Sequence, residues 1–309
     1  TTMISRLATP ASRARVRRSP RYSKSPARSA KNELTYSTPR YRISLAQWSL
    51  HRMLQAGALD PLEFPAFTAE RFGLRGVEYV SSLFADRAGD FEYLGELRTR
   101  ARDAGVASLL IMVDGEGRLG ATDDAERRRA IENHFKWIAA SAFLGGHSIR
   151  VNARGSGDRD EHSKRAADSL HRLCVLAEPY GLSVIVENHG GPSSDGAWLA
   201  QTIRRADHPA CGTLPDFGNF EVADGQWYDR YRGLEELLPL ARAVSAKSHD
   251  FDAHGNETST DYARALDLVQ ASGYRGWIGI EYEGLDLPEV EGIERTLSLL
   301  RREIARIEG

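Results

Sequence analysis

The chain has 309 residues, of which 41% are hydrophobic and 27% charged, an ordinary globular composition with ample length for one large core. No stretch approaches eighteen consecutive apolar residues, which excludes a membrane span and predicts a soluble protein. The net charge of −2 conceals a division, because residues 1–40 carry ten Lys and Arg against one acid, Glu33, while the remaining 269 residues sum to −11. So acidic a body repels nucleic acid, and no nucleic-acid partner is expected.

Residues 1–40 are rich in Arg, Ser and Pro and contain no hydrophobic run, so they cannot support a core. We therefore predict a disordered basic tail over residues 1–40 and one catalytic domain over residues 41–309. The tail lacks the apolar region of a secretion signal, while a transit-like segment and a non-native extension both stay open. We expect a cytoplasmic protein unless the tail directs it elsewhere.

Eight short apolar runs rich in β-forming residues alternate with longer amphipathic stretches of helical periodicity. The runs cover residues 42–48, 76–80, 108–113, 148–153, 182–187, 212–216, 243–249 and 277–282. Alternating strands and helices imply parallel pairing through right-handed crossovers, and eight such units can close into a (β/α)₈ (TIM) barrel. The rival architecture is an open doubly wound sheet, but no glycine-rich phosphate loop follows the first strand. We predict a single-domain barrel.

The active site of a (β/α)₈ barrel lies at the carboxyl ends of its strands. Glu187, Asp216, His249 and Glu281 end consecutive predicted strands, at intervals of 29, 33 and 32 residues. Three carboxylates on one rim repel each other unless a cation offsets their charge. We therefore predict one divalent metal ion on these four residues. An oxygen-rich set with one His suits Mn²⁺, Mg²⁺ or Co²⁺ and also permits Zn²⁺.

The alternative is that each carboxylate caps the helix after its strand, a common position for Asp and Glu. Glu187 and Glu281 end long apolar runs, where an inward carboxylate without a partner is costly, so a metal or substrate role is favoured. The fourth ligand stays open, because Ser245, Lys247 and His249 share one face of an alternating strand.

Five stretches carry a resemblance to a known family. They are ISLAQWSLHR, VENHGGPSSD, LPDFGNF, VSAKSHDFDAHGNETSTDY and GYRGWIGIEYEG. Over about residues 42–305 the chain resembles the xylose isomerase-like barrel superfamily, in particular its sugar-phosphate isomerase/epimerase branch. Relatives often carry Asp-x-x-His on strand six and His-x-Lys on strand seven, whereas this chain has Asn219 and Ser245 at the two histidine positions. If Ser245 occupies the usual ligand position, His249 contacts substrate instead of metal.

The resemblance implies a metal-dependent isomerase or epimerase of a small sugar or sugar phosphate. A metal that chelates a carbonyl and the adjacent hydroxyl acidifies the C–H between them and stabilises an enediolate. By resemblance, Glu187 and Glu281 are both metal ligands and the catalytic acid and base. Six further residues are predicted to contact substrate: His51, Glu78, Asn152, His189, Asn219 and Lys247. A membrane partner is not expected, and a homo-oligomer stays open.

Three other functions are compatible with parts of this pattern. A lyase acting on oxidised sugars or glycosides would use the same metal and base, and a non-catalytic sugar-binding barrel would use the same pocket. An apurinic-endonuclease-like phosphodiesterase needs more than one metal, more His ligands and a basic surface. The acidic body argues against that last function. His134 and His162 lie on predicted helices, and we expect both at the solvated surface.

Overall fold

Eight parallel strands surround a common axis in the computed structural model, which describes residues 39–309. In chain order they are β1 (Tyr41–Ala46), β2 (Gly76–Val80), β3 (Ala107–Met112), β4 (Ser148–Val151), β5 (Ser183–Glu187), β6 (Cys211–Leu214), β9 (Val244–Ser248) and β10 (Gly276–Tyr282). The strands β7 (Glu221–Ala223) and β8 (Gln226–Trp227) form a small separate hairpin between β6 and β9 in the chain. The barrel strands pair in the order β6-β5-β4-β3-β2-β1-β10-β9.

Two isolated parallel bridges bring the ends of this sheet together. They join Thr213 to Ala241 and Asp216 to Ser245, which places β6 beside β9. The Phe217 amide donates to the Ser245 carbonyl at 3.0 Å in this closing seam. The predicted (β/α)₈ barrel is confirmed, and each predicted apolar run overlaps one of its strands. The predicted disordered tail covers residues 1–40, of which 1–38 lie outside the described residues, and it stays a prediction.

Helices connect and surround the strands. They are α1 (His51–Gln55), α2 (Phe64–Phe72), α3 (Phe91–Asp103), α4 (Asp124–Leu144), α5 (Arg159–Ala177), α6 (Gly196–Ala206), α7 (Arg230–Leu237), α8 (Tyr262–Ala271) and α9 (Glu289–Glu308). From α3 to α8 each begins with an aspartate whose carboxylate accepts a backbone N–H of the first turn. Within residues 39–309 no helix is long and apolar enough to cross a membrane.

Side-chain alternation along each strand separates two buried layers. One large apolar cluster lies between the strands and the helices. A smaller cluster contains Ala46, Val80, Leu110, Met112, Ile185, Leu214 and Ala243. Residues two positions further along the same face of β5 and β6 are Glu187 and Asp216. The apolar cluster therefore underlies the carboxyl-end rim where these acids lie.

Two features of the fold differ from expectation. His134 and His162 are buried on α4 and α5 instead of lying at the solvated surface. Each ring donates to a main-chain carbonyl, His134 Nδ1 to Ala130 at 2.6 Å and His162 Nε2 to Ala153 at 2.9 Å. Helical periodicity allowed either face for these residues, and the hydrogen bonds compensate for their burial. Cys174 and Cys211 are buried free thiols.

Candidate active site

Three carboxylates meet at the carboxyl ends of three barrel strands. Glu187 is the last residue of β5, Asp216 follows β6, and Glu281 is the penultimate residue of β10. One oxygen from each lies within 4.8 Å of the others, and all three residues are buried. The strands are neighbours around the closed barrel apart from β9, which lies between β6 and β10. The predicted strand-end acids therefore converge on one point.

The helix-capping alternative does not hold for these acids. The helix after Glu187 begins at Asp195, whose carboxylate accepts the Trp198 amide at 3.0 Å. The helix after Asp216 begins at Asp229, and the helix after Glu281 begins at Pro288 with no side-chain cap. Since other residues hold those positions, the three buried carboxylates are available for a ligand.

Two buried cations lie against the carboxylates. Arg150, on the inner face of β4, places Nε 2.9 Å from Glu187 Oε2 and an NH group 2.9 Å from Asp114 Oδ1. Lys247 Nζ lies 3.5 Å from Glu281 Oε1, 3.2 Å from Glu283 Oε1 and 4.0 Å from an oxygen of Asp216.

Hydrogen bonds orient one oxygen of each carboxylate. Asn219 Nδ2 donates to Glu187 Oε1 at 2.9 Å, and the Asn219 amide donates to Asp216 Oδ1 at 2.8 Å. Ser245 Oγ donates to Glu281 Oε2 at 3.0 Å. The second oxygens of Glu187 and Asp216 accept no hydrogen bond among the described residues. The Arg150 contact with Glu187 is therefore an ion contact without hydrogen-bond alignment.

The donor set suits a divalent cation. Buried polar atoms are normally hydrogen-bonded, so the two carboxylate oxygens that accept no hydrogen bond can each take a further positive partner. The acids Glu187, Asp216, Glu281 and Glu283 outnumber the cations Arg150 and Lys247 at this end of the barrel. Three carboxylates facing one point are ligands that hard divalent ions prefer. Glu187, Asp216 and Glu281 could therefore hold a metal ion.

Burial and neighbouring charges shift the pKa values of the three acids in different directions. Burial raises the pKa of Glu187 and that of Asp216 to about 7, although Arg150 and Lys247 respectively oppose the change. Burial also acts on Glu281, but the charges of Lys247 and Arg150 hold its pKa below its ordinary value. For Lys247, burial favours the neutral amine, and the carboxylates of Asp216 and Glu281 outweigh it and raise the pKa well above the ordinary value.

A cavity of about 520 Å³ opens onto this cluster. Its size lies within the range typical of small-molecule sites, roughly 300–1,000 Å³. Of the three carboxylates Glu281 lines it, and Glu187 contacts the lining residue Arg150. Its polar lining residues include Asp114, Glu116, Arg118, His134, Arg150, Asn152, Arg154, His189, Glu281 and Glu283.

The structure places two of the predicted substrate contacts on the cavity wall. Asn152 and His189 both line it and are hydrogen-bonded to each other, His189 Nδ1 to Asn152 Oδ1 at 3.1 Å. The Asn152 amide nitrogen donates to Asp114 Oδ1 at 2.7 Å, which fixes its orientation. Asn219 and Lys247 lie among the carboxylates, where they orient and neutralise them.

The remaining predictions fall outside the cluster. His249 lies beyond the end of β9 with its side chain 42% exposed, and its Nε2 is 3.9 Å from Glu283 Oε2. It does not join the group formed by the three carboxylates, so the fourth ligand stays a prediction. His51 stacks on Trp48, with ring centroids 4.6 Å apart, and does not line the cavity.

Glu78 also differs from its predicted placement. It is paired in register with Ala46, inside the barrel and away from the cavity wall, and its Oε1 accepts Ser44 Oγ at 2.6 Å. A Cβ on Gly279 would lie 2.5 Å from that oxygen, so the carboxyl group occupies space that this glycine leaves. Glu78 therefore lies below the site instead of contacting the contents of the cavity.

Several lining residues were not predicted. Arg150 lies within the apolar run of β4, and the period of two that places Asn152 inward places Arg150 inward too. Its pairing with Asp114, which is 36 residues earlier, has no local sequence signal. His134 and Arg154 reach the cavity from α4 and from the loop after β4.

Together, the fold and the acidic cluster define a (β/α)₈ barrel in which three buried carboxylates that could hold a metal ion lie at the carboxyl ends of the strands. Comparison with known proteins agrees. Residues 67–303 match the family model described as xylose isomerase-like TIM barrel, and the chain belongs to that family. The predicted family is confirmed.

Three relatives illustrate the similarity. A solved L-ribulose 3-epimerase superposes with a TM-score of 0.66 at 15% identity, covering 86% of this chain and 95% of the other. A 3-keto-D-glucoside 4-epimerase from E. coli gives 0.62 at 16% identity, covering 86% of this chain and all of the other. At these identities the likeness concerns the fold.

The third relative is matched over a short region. The C-glycoside deglycosidase alpha subunit of Arthrobacter globiformis is 35% identical over 75 residues, which are 22% of this chain. The match spans 21% of that relative's length.

Proposed function

We propose that the protein is a divalent-metal-dependent isomerase or epimerase of a small sugar. The observation that carries the proposal is the approach of three buried carboxylate oxygens to within 4.8 Å of one another beside a cavity of about 520 Å³. Glu187, Asp216 and Glu281 would hold the ion, with Mn²⁺, Mg²⁺ or Co²⁺ favoured by the oxygen donors. When bound, the ion supplies Lewis-acid polarisation of a substrate carbonyl oxygen.

The protein's own groups then move the protons. Glu281 lines the cavity and removes the proton from the carbon beside the carbonyl, which gives an enediolate. Glu187 comes from a strand three places away around the closed barrel, so it approaches from a different side. Return of a proton by Glu187 to the opposite face of the same carbon inverts that carbon. Return to the adjacent carbon moves the carbonyl.

Other residues hold the substrate and the charge in place. The Lys247 ammonium, 3.5 Å from Glu281 Oε1, keeps that carboxylate ionised and ready to accept a proton. Arg150 also lines the cavity and offers a guanidinium edge to the negative oxygen of the enediolate. Asn152 and His189 contribute hydrogen-bonding groups for sugar hydroxyls.

The test is solvent-deuterium incorporation into a panel of free and phosphorylated ketoses by the metal-loaded protein in D₂O. We expect incorporation into at least one ketose, and a loss of at least 10³-fold for Glu281→Gln. Glu303→Gln changes a buried glutamate on α9 that pairs with Arg302 and Arg306, away from the cavity, and should retain the wild-type rate. Failure of the wild-type protein to label any ketose would contradict the proposal.

A second function is favoured by the local match to the C-glycoside deglycosidase alpha subunit. The same base could remove a proton next to a ketone on the sugar of a C-glycoside. The electron pair then expels the aglycone carbon, which takes up a proton as the carbon–carbon bond breaks. Release of free aglycone from a keto-C-glycoside, together with no turnover of ketoses, would select this lyase reaction.

The phosphodiesterase alternative has little support. Among residues 39–309 only one group of His, Cys, Asp and Glu side chains is arranged to hold a metal, whereas that chemistry uses a cluster of ions. The 3.9 Å contact of His249 with Glu283 also leaves the main candidate His ligand outside the group.

A further inference from the structure

A second cavity adjoins the one described above. It has a volume of about 380 Å³ and shares Arg118, Arg154 and His189 with the larger cavity. Its far wall is formed by the segment 190–193, which follows β5. The two cavities are therefore lobes of one space, with Glu281 at one end and Arg154 at the junction.

Almost every charged side chain that lines the larger lobe is already paired. Glu116 contacts Lys136 at 2.7 Å, and Arg118 contacts Glu126 at 2.7 Å. The lining residues Asp114, Arg150, Glu281 and Glu283 belong to the pairs of the acid cluster.

Among the residues that the structure describes, Arg154 is the one charged residue of this lining that has no acidic side chain within 4.0 Å and no side-chain hydrogen bond. Its guanidinium is permanently charged, so a cation without an anion faces the substrate space.

The main chain around Arg154 is firmly held although its side chain is free. His162 Nε2 donates to the carbonyl of Ala153 at 2.9 Å, and the Gly120 amide donates to that of Arg154 at 2.8 Å. An NH group of Arg165 donates to the carbonyl of Ser156 at 2.6 Å. The fixed backbone holds this exposed side chain at the junction of the two cavities, so ligand binding has to order the side chain alone.

We propose that Arg154 binds an anionic group of the substrate, so that the natural substrate is a sugar bearing a carboxylate or a phosphate. This inference rests on the proposed function, because it takes the reacting carbons of the sugar to lie beside Glu281 in the same cavity. Arg154 then binds the charged end, where a guanidinium can form a bidentate contact with either kind of oxyanion. The subsite would select charged sugars over neutral ones of the same size.

Equilibrium binding of matched probes tests the subsite without requiring turnover. The probes are a ketohexose, its 6-phosphate and the corresponding ketouronate, measured by calorimetry on the metal-loaded full chain. We expect one charged probe to bind at least tenfold more tightly than the neutral ketohexose, as a charge-assisted hydrogen bond implies. The phosphate and carboxylate probes distinguish the two sources of the anion.

Two variants complete the experiment. Arg154→Gln should reduce the charged-to-neutral affinity ratio to about one, and Arg129→Gln, which removes an exposed arginine of α4, should keep the wild-type ratio. Equal affinity of the wild-type protein for all three probes, no binding of any probe, or a ratio that survives Arg154→Gln, overturns the inference. Deuterium incorporation reports separately on the proposed function. A charged preference without isotope exchange contradicts that function alone, and exchange without the preference contradicts the subsite alone.

Discussion

Arg150 and Glu187 form a buried ion pair across two neighbouring strands, with Nε 2.9 Å from Oε2. The same guanidinium contacts Asp114 at 2.9 Å, so one cation serves two acids. Arg150 also lines the cavity, so the contact links Glu187 directly to the wall of the substrate space. We therefore expect the pair to affect both the free energy of unfolding of the barrel and the charge of Glu187 in the acid cluster.

Replacing Arg150 tests this relationship. Arg150→Met leaves the carboxylates of Glu187 and Asp114 without their shared cation, and breaking a buried ion pair costs about 3–5 kcal/mol of unfolding free energy. We expect that loss in urea unfolding of the metal-free protein at pH 8. Added Mn²⁺ should restore part of it, because an ion bound only by the folded state stabilises that state. Arg129→Met is the exposed control, and a loss below about 0.5 kcal/mol for Arg150→Met would show that the pair contributes little.

Glu78 gives the protein a pH-dependent stability. Burial raises its pKa to about 7, above the ordinary value of 4.5. The contribution of the protonated group is fully present below pH 4.5, and it is lost as the pH rises through about 7. Glu78→Gln cannot ionise and keeps an acceptor for Ser44. At pH 8 we expect the variant to be more stable than the wild type, by up to about 3 kcal/mol.

The measurement is urea unfolding of wild type and Glu78→Gln at pH 5 and at pH 8. The advantage of the variant should shrink towards pH 5, where both chains carry a neutral side chain at this position. A stability difference of the same size at both pH values would show that Glu78 does not titrate in the interior.

The strands and the three acids were predictable for a physical reason. Glu187 and Glu281 end apolar β-forming runs, a pattern that is visible in the local sequence. A carboxylate buried at such a position needs a positive or hydrogen-bonding partner, so a role in a site could be predicted without knowing which residues lie near it in the fold. The β7–β8 hairpin also has a local signal in the sequence, since its two-residue turn is Asp224-Gly225, with φ of +68° at the glycine.

The pairing around the site was not predictable in this way. Arg150 acquires its role only when the barrel brings Asp114 and Glu187 to either side of it. His249 looked like a ligand because it ends an apolar run, but β9 stops at Ser248 and the ring turns towards Glu283. Such placements depend on where each strand stops, and a sequence fixes strand ends less sharply than strand centres.

Asn219 is predicted to set the affinity of the metal site. Its side chain donates to Glu187 and its main chain to Asp216, so it orients two carboxylates at once. Removing a group that orients metal ligands typically costs 10–100-fold in affinity, on the order of 1–3 kcal/mol. We expect a loss in that range for Asn219→Ala by chelator competition. Asn133→Ala, on the exposed face of α4, is the control, and equal metal affinities for the two variants would exclude this orienting role.

The metal content of the purified protein tests the central claim most directly. After dialysis against metal-free buffer and reloading with Mn²⁺, we expect about one ion per chain by elemental analysis of the wild type and of the Glu303→Gln control. Asp216→Asn removes one of the three converging carboxylates and should bring the content close to zero while circular dichroism shows an intact barrel. A wild-type protein that stays metal-free after reloading, or an Asp216→Asn variant that keeps its full content, would contradict a metal site on Glu187, Asp216 and Glu281.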